Sequence, residues 1–294
     1  MFFKSMRKGL VTVGPGLLAG LDVGTSKVSC CIARIDHQGN LRVLGTGQHV
    51  AKGLKNGAIV DMGALEEAIR SCVNRAEEMA EETISSVYVS VSAALVLSET
   101  VCMETPVSGH AVDEMDLRKI ILQACQSVER SGYDIIHSIP ASYGIDTTSG
   151  IRDPRGMFGH TLRGNIHVVS ALHGPLRNLA ACIERCHLEP LGFVLAPFAA
   201  GLATLVEDEM DLGVTLIDMG AGTTTFATFQ EGCLTHVDCV NVGGAHVTND
   251  IARGLSTPLA QAERIKTLYG SAMVSSGHEL ISAPQIGEEE GAKG

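Results

Sequence analysis

One short pattern occurs twice in this chain, and it constrains the fold more than any other feature. The segment Leu21-Asp22-Val23-Gly24-Thr25-Ser26 recurs near the other end as Ile217-Asp218-Met219-Gly220-Ala221-Gly222-Thr223-Thr224. In each copy an apolar strand ends in aspartate, a glycine bend with hydroxyl residues follows, and a second strand comes next. An internal repeat of this kind indicates duplicated structural units. We therefore predict two related domains whose hairpins face each other.

The turn of each hairpin has the composition of a phosphate-binding loop. Gly24, Gly220 and Gly222 let the backbone approach a ligand and permit positive φ angles, so that successive amide groups can surround an anion. Hydroxyl groups and one positive charge come from Thr25, Ser26, Lys27, Thr223 and Thr224. One copy of such a motif is more simply an ordinary bend. Two copies, each after an apolar strand, favour phosphate binding.

The aspartates of the repeat predict a metal ion. Asp22 and Asp218 would repel a phosphate group that touched them directly. They are compatible with phosphate if Mg²⁺ stands between, held by water and phosphate oxygens while the carboxylates contact its water shell. The combined prediction is a nucleoside triphosphate with Mg²⁺, clamped between the two hairpins.

Two features near the second hairpin extend this prediction to the sugar. Glu263 and Lys266 are three residues apart, on one face of a predicted helix. We predict that Glu263 accepts the ribose hydroxyls and that Lys266 flanks the sugar or base; the alternative is a solvated ion pair. Gly243 and Gly244 open a helix after a strand, where they either back the ribose or phosphate or serve only as turn glycines.

Strand-like and helix-like segments alternate along the chain, which predicts the α/β class. Helices are predicted after Asp61 and after Asp113, and a third between Thr257 as N-cap, with Pro258 at its first position, and Gly270. Residues 137–165 are predicted to be a strand and a long loop. The predicted organisation is a flexible leader (1–16), a first domain (17–86 and 166–196), a small inserted α+β unit (87–165) and a second domain, incomplete at its C-terminus (197–294).

Composition excludes several function classes. The chain has 33 acidic and 22 basic side chains, a formal charge of −11 with neutral histidines, whereas a nucleic-acid binder needs a basic face. Aromatic residues make up only 4% and tryptophan is absent, so a base-stacking surface is not expected. The nine cysteines are an odd number, and no signal peptide is evident. Reduced thiols in a cytoplasmic protein are therefore predicted.

Taken together, the double hairpin, Gly243-Gly244 and Ala262-Glu263-x-x-Lys266 resemble the actin-like ATPase superfamily. Within it the chain resembles the FtsA family of bacterial cell-division proteins, to which the inserted unit at 87–165 points. The resemblance covers about residues 17–270 and implies an actin-like, duplicated ribonuclease H-like fold of two domains with a small inserted subdomain. Further matching segments are Leu21–Lys27, His137–Pro140, Asn165–Val168, Gly213–Asp218 and Asn249–Ala252.

The resemblance also implies a function. Members of this family bind ATP and Mg²⁺ between the two domains and self-associate into filaments, partly through the inserted subdomain. They link FtsZ, through its C-terminal tail, to the cytoplasmic membrane and recruit later division proteins. The expected location is therefore the inner face of the cell membrane at the division site. Membrane contact in the family is made by an amphipathic C-terminal helix, which is not evident in these residues.

One departure from the wider superfamily bears on hydrolysis. Hydrolytic chaperone relatives carry Glu just before the Pro-x-Ala-Ala that matches Pro197–Ala200, and use it to place the attacking water. That position is Ala196 here, which can neither orient water nor accept a proton. We predict ATP binding with slow or absent hydrolysis. The acidic run Glu207-Asp208-Glu209 is interpreted as a solvated helix end.

Alternative functions are an actin-like pilus-assembly adaptor, which would bind a membrane-protein tail, and a metabolic kinase of the same superfamily. Cys182, Cys186 and His187 resemble half of a metal site, but Cys182 belongs to an apolar helix stripe and is predicted to be a core residue. Asp134 and His137 suggest a hydrolase, although no strand–elbow motif accompanies them.

Overall fold

A computed structural model of the chain describes residues 16–92, 96–107, 109–273 and 280–286. All but the last residue of the predicted leader, and the charged tail 288–294, lie outside these ranges. Within them the structure contains three larger sheets and a two-stranded hairpin. None of the helices in the same ranges combines the length and apolar character needed to cross a bilayer.

The first sheet carries the first copy of the repeat. It contains β1 (Gly16–Val23), β2 (Lys27–Ile35), β3 (Leu41–Val50), β6 (Ser86–Val91) and β11 (Glu189–Leu195). The spatial order is β11-β6-β1-β2-β3, with β1 antiparallel to β2 and parallel to β6. A separate hairpin of β4 (Leu54–Lys55) and β5 (Ala58–Ile59) follows β3. The first repeated turn therefore lies between two neighbouring strands.

Helix α1 (Met62–Ala80) packs directly on β3 because that strand carries glycine where the helix crosses. A Cβ atom on Gly47 would lie 2.0 Å from the carbonyl oxygen of Cys72. The helix begins where the sequence predicted, after Asp61, whose side chain accepts from the Ala64 amide at 3.0 Å. This contact satisfies one of the free amides of the first turn.

The second sheet forms a separate unit with its own helix. It contains β7 (Val96–Pro106), β8 (Tyr133–Ile145), β9 (Thr148–Ile151) and β10 (Thr161–Leu172), in the order β7-β10-β8-β9. Helix α2 (Glu114–Ser127) begins after Asp113, as predicted, and packs on this sheet. Leu117 and Ile120 of the helix share a local hydrophobic core with Ile166 of β10.

The third sheet carries the second copy of the repeat. It contains β12 (Val214–Met219), β13 (Thr224–Gln230) and β14 (Cys233–Val240), in that order. The remaining helices are α3 (His173–Arg185), α4 (Ala196–Thr204), α5 (Glu207–Leu212), α6 (Gly244–Leu255) and α7 (Leu259–Tyr269). Helix α4 contacts strands of the first and third sheets. One hydrophobic core therefore joins Leu21 and Leu195 to Phe229 and Leu234.

The unit built on the second sheet contacts both neighbours. The Nε2 atom of His137, on β8, accepts from the amide of Leu195 at 2.9 Å, where β11 passes into α4. On the other side, the Ser98 hydroxyl accepts from the amide of Val237 in β14 at 3.1 Å. The inserted unit is thus attached both to the end of the first sheet and to the third sheet.

Several elements differ from the sequence prediction. Strands β3 and β7 were not predicted, and residues 137–165 contain most of β8, all of β9 and the start of β10 rather than a strand and a long loop. Strand β7 has no continuous apolar run because exposed and half-buried residues alternate along its second half. Helix α7 has Pro258, not Thr257, at its N-cap. The Thr257 hydroxyl instead donates to the Pro284 carbonyl at 2.6 Å.

Sheet membership also differs from the predicted domain boundaries at two strands. Strand β6 was assigned to the inserted unit from residue 87 but pairs within the first sheet, where Val87 and Val89 are buried. Residues 166–172 were assigned to the first domain but belong to β10 of the second sheet. The division of the chain into domains stays a prediction. We propose that the inserted unit runs from the end of β6 to the end of β10.

Candidate functional site

The two repeated turns have the same construction. We call residues 24–27 turn 1 and residues 220–223 turn 2. Each turn connects two antiparallel strands. The paired residues that flank the turn are Val23 and Val28 in the first sheet, and Met219 and Thr224 in the third. The first amide of each turn donates to the carbonyl of the fourth residue, Gly24 to Lys27 at 3.0 Å and Gly220 to Thr223 at 2.9 Å. The duplication predicted from the sequence is therefore present in the register and in the turn hydrogen bonds.

The glycines of the turns are needed for space rather than for positive φ. Gly24, Gly220 and Gly222 do not have the positive φ that the sequence interpretation allowed for. A Cβ atom on Gly24 or on Gly220 would instead lie 3.1 Å from the carbonyl oxygen of the last residue of its turn. That spacing is tighter than ordinary van der Waals contact, so the turn would have to shift by a few tenths of an ångström to take a side chain at either position.

Turn 1 and turn 2 meet in the folded chain. A Cβ atom on Gly222 would lie 2.8 Å from the Thr25 hydroxyl oxygen and 3.0 Å from the Cα atom of Asn56. The Thr25 hydroxyl also accepts from the Gly57 amide at 3.3 Å. The β4–β5 hairpin is thus a third component of this contact. The hairpin was not predicted, although its Asn56-Gly57 turn is a strong hairpin signal in the sequence.

The two aspartates of the repeat occupy matching positions at the strand ends. Asp22 lies opposite Ser29 and Asp218 opposite Thr225, one pair before each turn. Both carboxylates are exposed. Asp22 accepts a short hydrogen bond from Ser90 of β6; no sequence motif marks Ser90.

Across from Asp218, the hydroxyl of Thr225 is buried and has no hydrogen-bond partner among the described residues. Buried hydroxyls are normally paired. At the exposed strand ends, Asp22 and Asp218 offer only oxygen ligands, which are the kind that Mg²⁺ with its water shell takes, so these two residues fit the ion.

Cavities adjoin the first turn on two sides. One, of about 450 Å³, lies on the face of the first sheet next to α4 and is lined by Asp22, Ser90 and Ala199 among others. The other, of about 120 Å³, is lined by Val23, Ser90 and Gly57 among others. Neither of these two cavities is lined by residues of turn 2.

The N-terminus of α6 holds turn 2 in place. A Cβ atom on Gly243 would lie 2.4 Å from the Gly220 carbonyl oxygen, so this position needs glycine. The amides of Gly244 and Ala245 donate to the carbonyls of Gly220 and Ala221 at 3.0 and 2.9 Å. Both amides are therefore already bonded within the protein. The backing of ribose or phosphate by Gly243 and Gly244 stays a prediction.

Glu263 and Lys266 form a compact network with α6. The Lys266 ammonium donates to the Glu263 carboxylate at 2.7 Å, to the Gly244 carbonyl at 3.1 Å and to the Thr248 hydroxyl at 2.9 Å. The hydrogen bond from Lys266, followed by that from Thr248, lowers the pKa of the Glu263 carboxyl. The Glu263 side chain is still 54% exposed. The pair is therefore ordered and open to a ligand, and its contact with ribose stays a prediction.

The remaining predicted side chains take different positions. Ser26 and Lys27 are exposed at the end of turn 1. Thr223 is half-buried at the end of turn 2. Thr224 is the first residue of β13, and its hydroxyl donates to the Val242 carbonyl at 2.8 Å. In this arrangement the Thr224 hydroxyl is already engaged within the protein. Ala196, the position discussed for hydrolysis, is the first residue of α4.

The alternative sites receive no support from the geometry. Asp134 pairs with His173 at 2.6 Å, not with His137. Cys182 is buried in the main core, as predicted. Within residues 16–92, 96–107, 109–273 and 280–286, Cys182, Cys186 and His187 do not form a group that could hold a metal. The group that does have ligand spacing is His110, Asp113 and Asp116, at the start of α2.

Two family models match the chain. "Cell division protein FtsA" matches residues 215–293 and "SHS2 domain inserted in FTSA" matches residues 94–170. The second match covers most of the unit built on the second sheet.

Curated relatives match almost the whole chain. It is 40% identical to cell division protein FtsA of Agrobacterium fabrum over 98% of this chain and 69% of the relative. Identity is 34% to FtsA of Pseudomonas aeruginosa, over 92% of this chain and 66% of that one. The chain is 30% identical to FtsA of Escherichia coli K12, over 92% of this chain and 65% of that relative. The chain therefore spans about two thirds of the length of these relatives.

Solved structures share the fold at low sequence identity. A PilM–PilN type IV pilus biogenesis complex aligns with a TM-score of 0.63 and 17% identity, over 86% of this chain and 70% of that one. MreB5 of Spiroplasma citri bound to ADP aligns with a TM-score of 0.50 and 14% identity, over 89% of this chain and 64% of that one. The fold is therefore actin-like, as the resemblance to the actin-like ATPase superfamily implied.

Proposed function

Because the chain belongs to the FtsA family of bacterial cell-division proteins, we propose that it binds ATP with Mg²⁺ between turn 1 and turn 2. One observation carries this proposal: two turns of identical register, one from each half of the repeat, meet where Gly222 lies against Thr25. A single ligand can therefore contact both halves of the molecule at this place.

Each group of residues has a separate role in the proposal. The backbone of both turns, with Thr25 and Ser26, holds the phosphates, and Lys27 adds a positive charge. Asp22 and Asp218 hold the Mg²⁺ through its water shell; the ion, when bound, neutralises phosphate charge. Since the two turns touch each other, binding of a triphosphate requires them to move apart. Glu263 and Lys266 contact the ribose.

We expect little or no ATP hydrolysis. Ala196 stands where hydrolytic relatives carry glutamate, and a methyl group can neither orient water nor take its proton. Turnover by the purified protein at a rate typical of kinases, about 1–100 s⁻¹, would contradict this part of the proposal. Without hydrolysis, the nucleotide acts as a conformational signal rather than as a substrate.

The nucleotide site is tested by equilibrium binding. ATP is titrated into the folded chain with and without Mg²⁺, and into Asp218→Ala and Asp208→Ala. We expect saturable, Mg²⁺-dependent binding that Asp218→Ala weakens at least tenfold, because the ion loses a carboxylate. Asp208→Ala is the matched control, since Asp208 is an exposed residue of α5. A folded wild-type chain that binds no ATP would refute the proposal.

The division partners are proposed from family membership. We propose that the protein binds the FtsZ C-terminal tail, self-associates, contacts other division proteins and acts at the inner face of the membrane at the division site. Pull-down with an FtsZ C-terminal peptide, against the same peptide scrambled, tests the first of these. Retention of the native peptide only is expected. If the protein does not retain the FtsZ peptide but does retain the tail of a pilus membrane protein, the pilus-adaptor alternative is favoured.

A further inference from the structure

We propose that Thr248 is the positioning residue of the ribose site, because its single hydroxyl fixes both the Glu263 carboxylate and the Lys266 ammonium. The proposal rests on the function proposed above, in which those two side chains contact the sugar. It adds a residue outside both turns and outside the Ala-Glu-x-x-Lys helix, on α6 rather than on α7.

The first argument is geometric. Thr248 is only 6% exposed and faces α7 from the second turn of α6. Its hydroxyl donates a short hydrogen bond to Oε2 of Glu263. The Thr248 hydroxyl oxygen also accepts from the Lys266 ammonium at 2.9 Å. One atom thus contacts both members of the predicted ribose pair.

The second argument concerns the hydroxyl proton. A hydroxyl has one proton to donate, and the Thr248 oxygen lies within reach of both the Glu263 carboxylate and the Gly244 carbonyl, the latter at 3.0 Å. A hydrogen bond to an ionised acceptor is the stronger, so the proton goes to Glu263. Thr248 therefore holds the carboxylate with its proton and the ammonium with its lone pair, which a valine of the same shape cannot do.

The third argument links this network to turn 2. Lys266 also donates to the Gly244 carbonyl at 3.1 Å, and the Gly244 amide donates to the Gly220 carbonyl at 3.0 Å. The residues predicted to contact ribose and the turn predicted to contact phosphate are therefore joined through one residue, Gly244. Loss of the Thr248 hydroxyl leaves Lys266 on the Gly244 carbonyl but removes the hydrogen bond from α6 to the Glu263 carboxylate, which frees that carboxylate to rotate relative to turn 2.

The test compares two nucleotides and four variants. ATP and 2′,3′-dideoxy-ATP, each with Mg²⁺, are titrated into wild type, Thr248→Val, Thr248→Ser and Thr248→Ala. Thr248→Ala removes the hydroxyl without adding bulk, and is decisive if valine prevents folding. Thr204→Val is the matched control, because the Thr204 hydroxyl also donates to a backbone carbonyl four residues earlier, on α4.

Wild type is expected to prefer ATP. Thr248→Val and Thr248→Ala should weaken ATP binding about tenfold and leave dideoxy-ATP within about twofold of wild type. Thr248→Ser should restore ATP binding, and Thr204→Val should not change it. An equal loss for both nucleotides would mean a purely structural role and overturn the proposal, as would full ATP affinity in Thr248→Val. If wild type binds neither nucleotide, the proposed function itself is refuted. That outcome differs from the two results above, in which wild type still binds ATP.

Discussion

Acid should destabilise the junction between the inserted unit and the first sheet through one histidine. His137 accepts from the Leu195 amide through Nε2 at 2.9 Å, so its proton is on Nδ1 and the ring is neutral. Its ring packs edge-on against Phe198 at 5.4 Å. Burial, followed by the nearby His167, lowers the pKa of His137 from 6.5 to about 4. Protonation in the folded state would remove the acceptor that Leu195 uses.

The sign and size of the effect follow from this pKa. Between pH 6.5 and 4 the unfolded chain takes up a proton that folded His137 does not, so stability falls as the pH falls. Each pKa unit corresponds to about 1.4 kcal/mol. Integration from neutral pH gives a loss of about 2 kcal/mol at pH 5, and about 3 kcal/mol near pH 4. Above pH 7 this histidine contributes no pH dependence.

Urea unfolding at pH 7.5 and pH 5 measures this effect. In His137→Gln the amide oxygen can still accept from Leu195 but cannot titrate, so the drop in the free energy of unfolding should shrink by about 2 kcal/mol. His37→Gln is the control, because His37 is exposed in the β2–β3 turn. Carboxyl groups titrate alike in all three proteins and cancel in the comparison. An unchanged drop in His137→Gln would refute the reasoning.

Four further substitutions test other parts of the structure. Gly222→Ala places a Cβ atom 2.8 Å from the Thr25 hydroxyl oxygen, which disfavours the contact between the two turns and should lower the free energy of unfolding by about 1–3 kcal/mol, measured in urea. In contrast, Gly254→Ala meets nothing within 4 Å and should stabilise α6 by about 0.5–1 kcal/mol. Phe229→Ala removes a core ring that is 1% exposed and should lower the free energy of unfolding by about 3–5 kcal/mol, measured in urea. Asp113→Ala removes the N-cap of α2 and should cost about 1 kcal/mol, measured by thermal unfolding.

The sequence predicted those parts of the site that depend on local pattern. The repeat identified both turns, and Asp61 and Asp113 identified two helix starts, because strand ends, glycine bends and caps depend on a few adjacent residues. The turn glycines were interpreted as permitting close backbone approach and positive φ, and Gly24, Gly220 and Gly222 do not adopt positive φ. Gly24 and Gly220 are needed because another carbonyl lies close to the Cα atom, and a close approach of this kind depends on the folded turn.

What the sequence did not predict depends on contacts between distant segments. Strand β3 was not predicted because Gly45 and Gly47 interrupt its apolar pattern, yet those glycines let α1 approach its backbone. The Thr257 hydroxyl was predicted to cap α7 but is taken by the carbonyl of Pro284. Thr248 was also missed by the sequence prediction. Its partners, Glu263 and Lys266, lie on another helix, α7.

The central claim is that turn 1 and turn 2 hold one nucleotide together. Hydrogen exchange of the full chain with and without ATP and Mg²⁺ tests this directly, through peptides that cover residues 22–28 and 218–225. The account predicts that both segments become protected together, at the same nucleotide concentration, and that Asp218→Ala abolishes protection in both. Protection of one segment only, or ATP binding that protects neither, would contradict it.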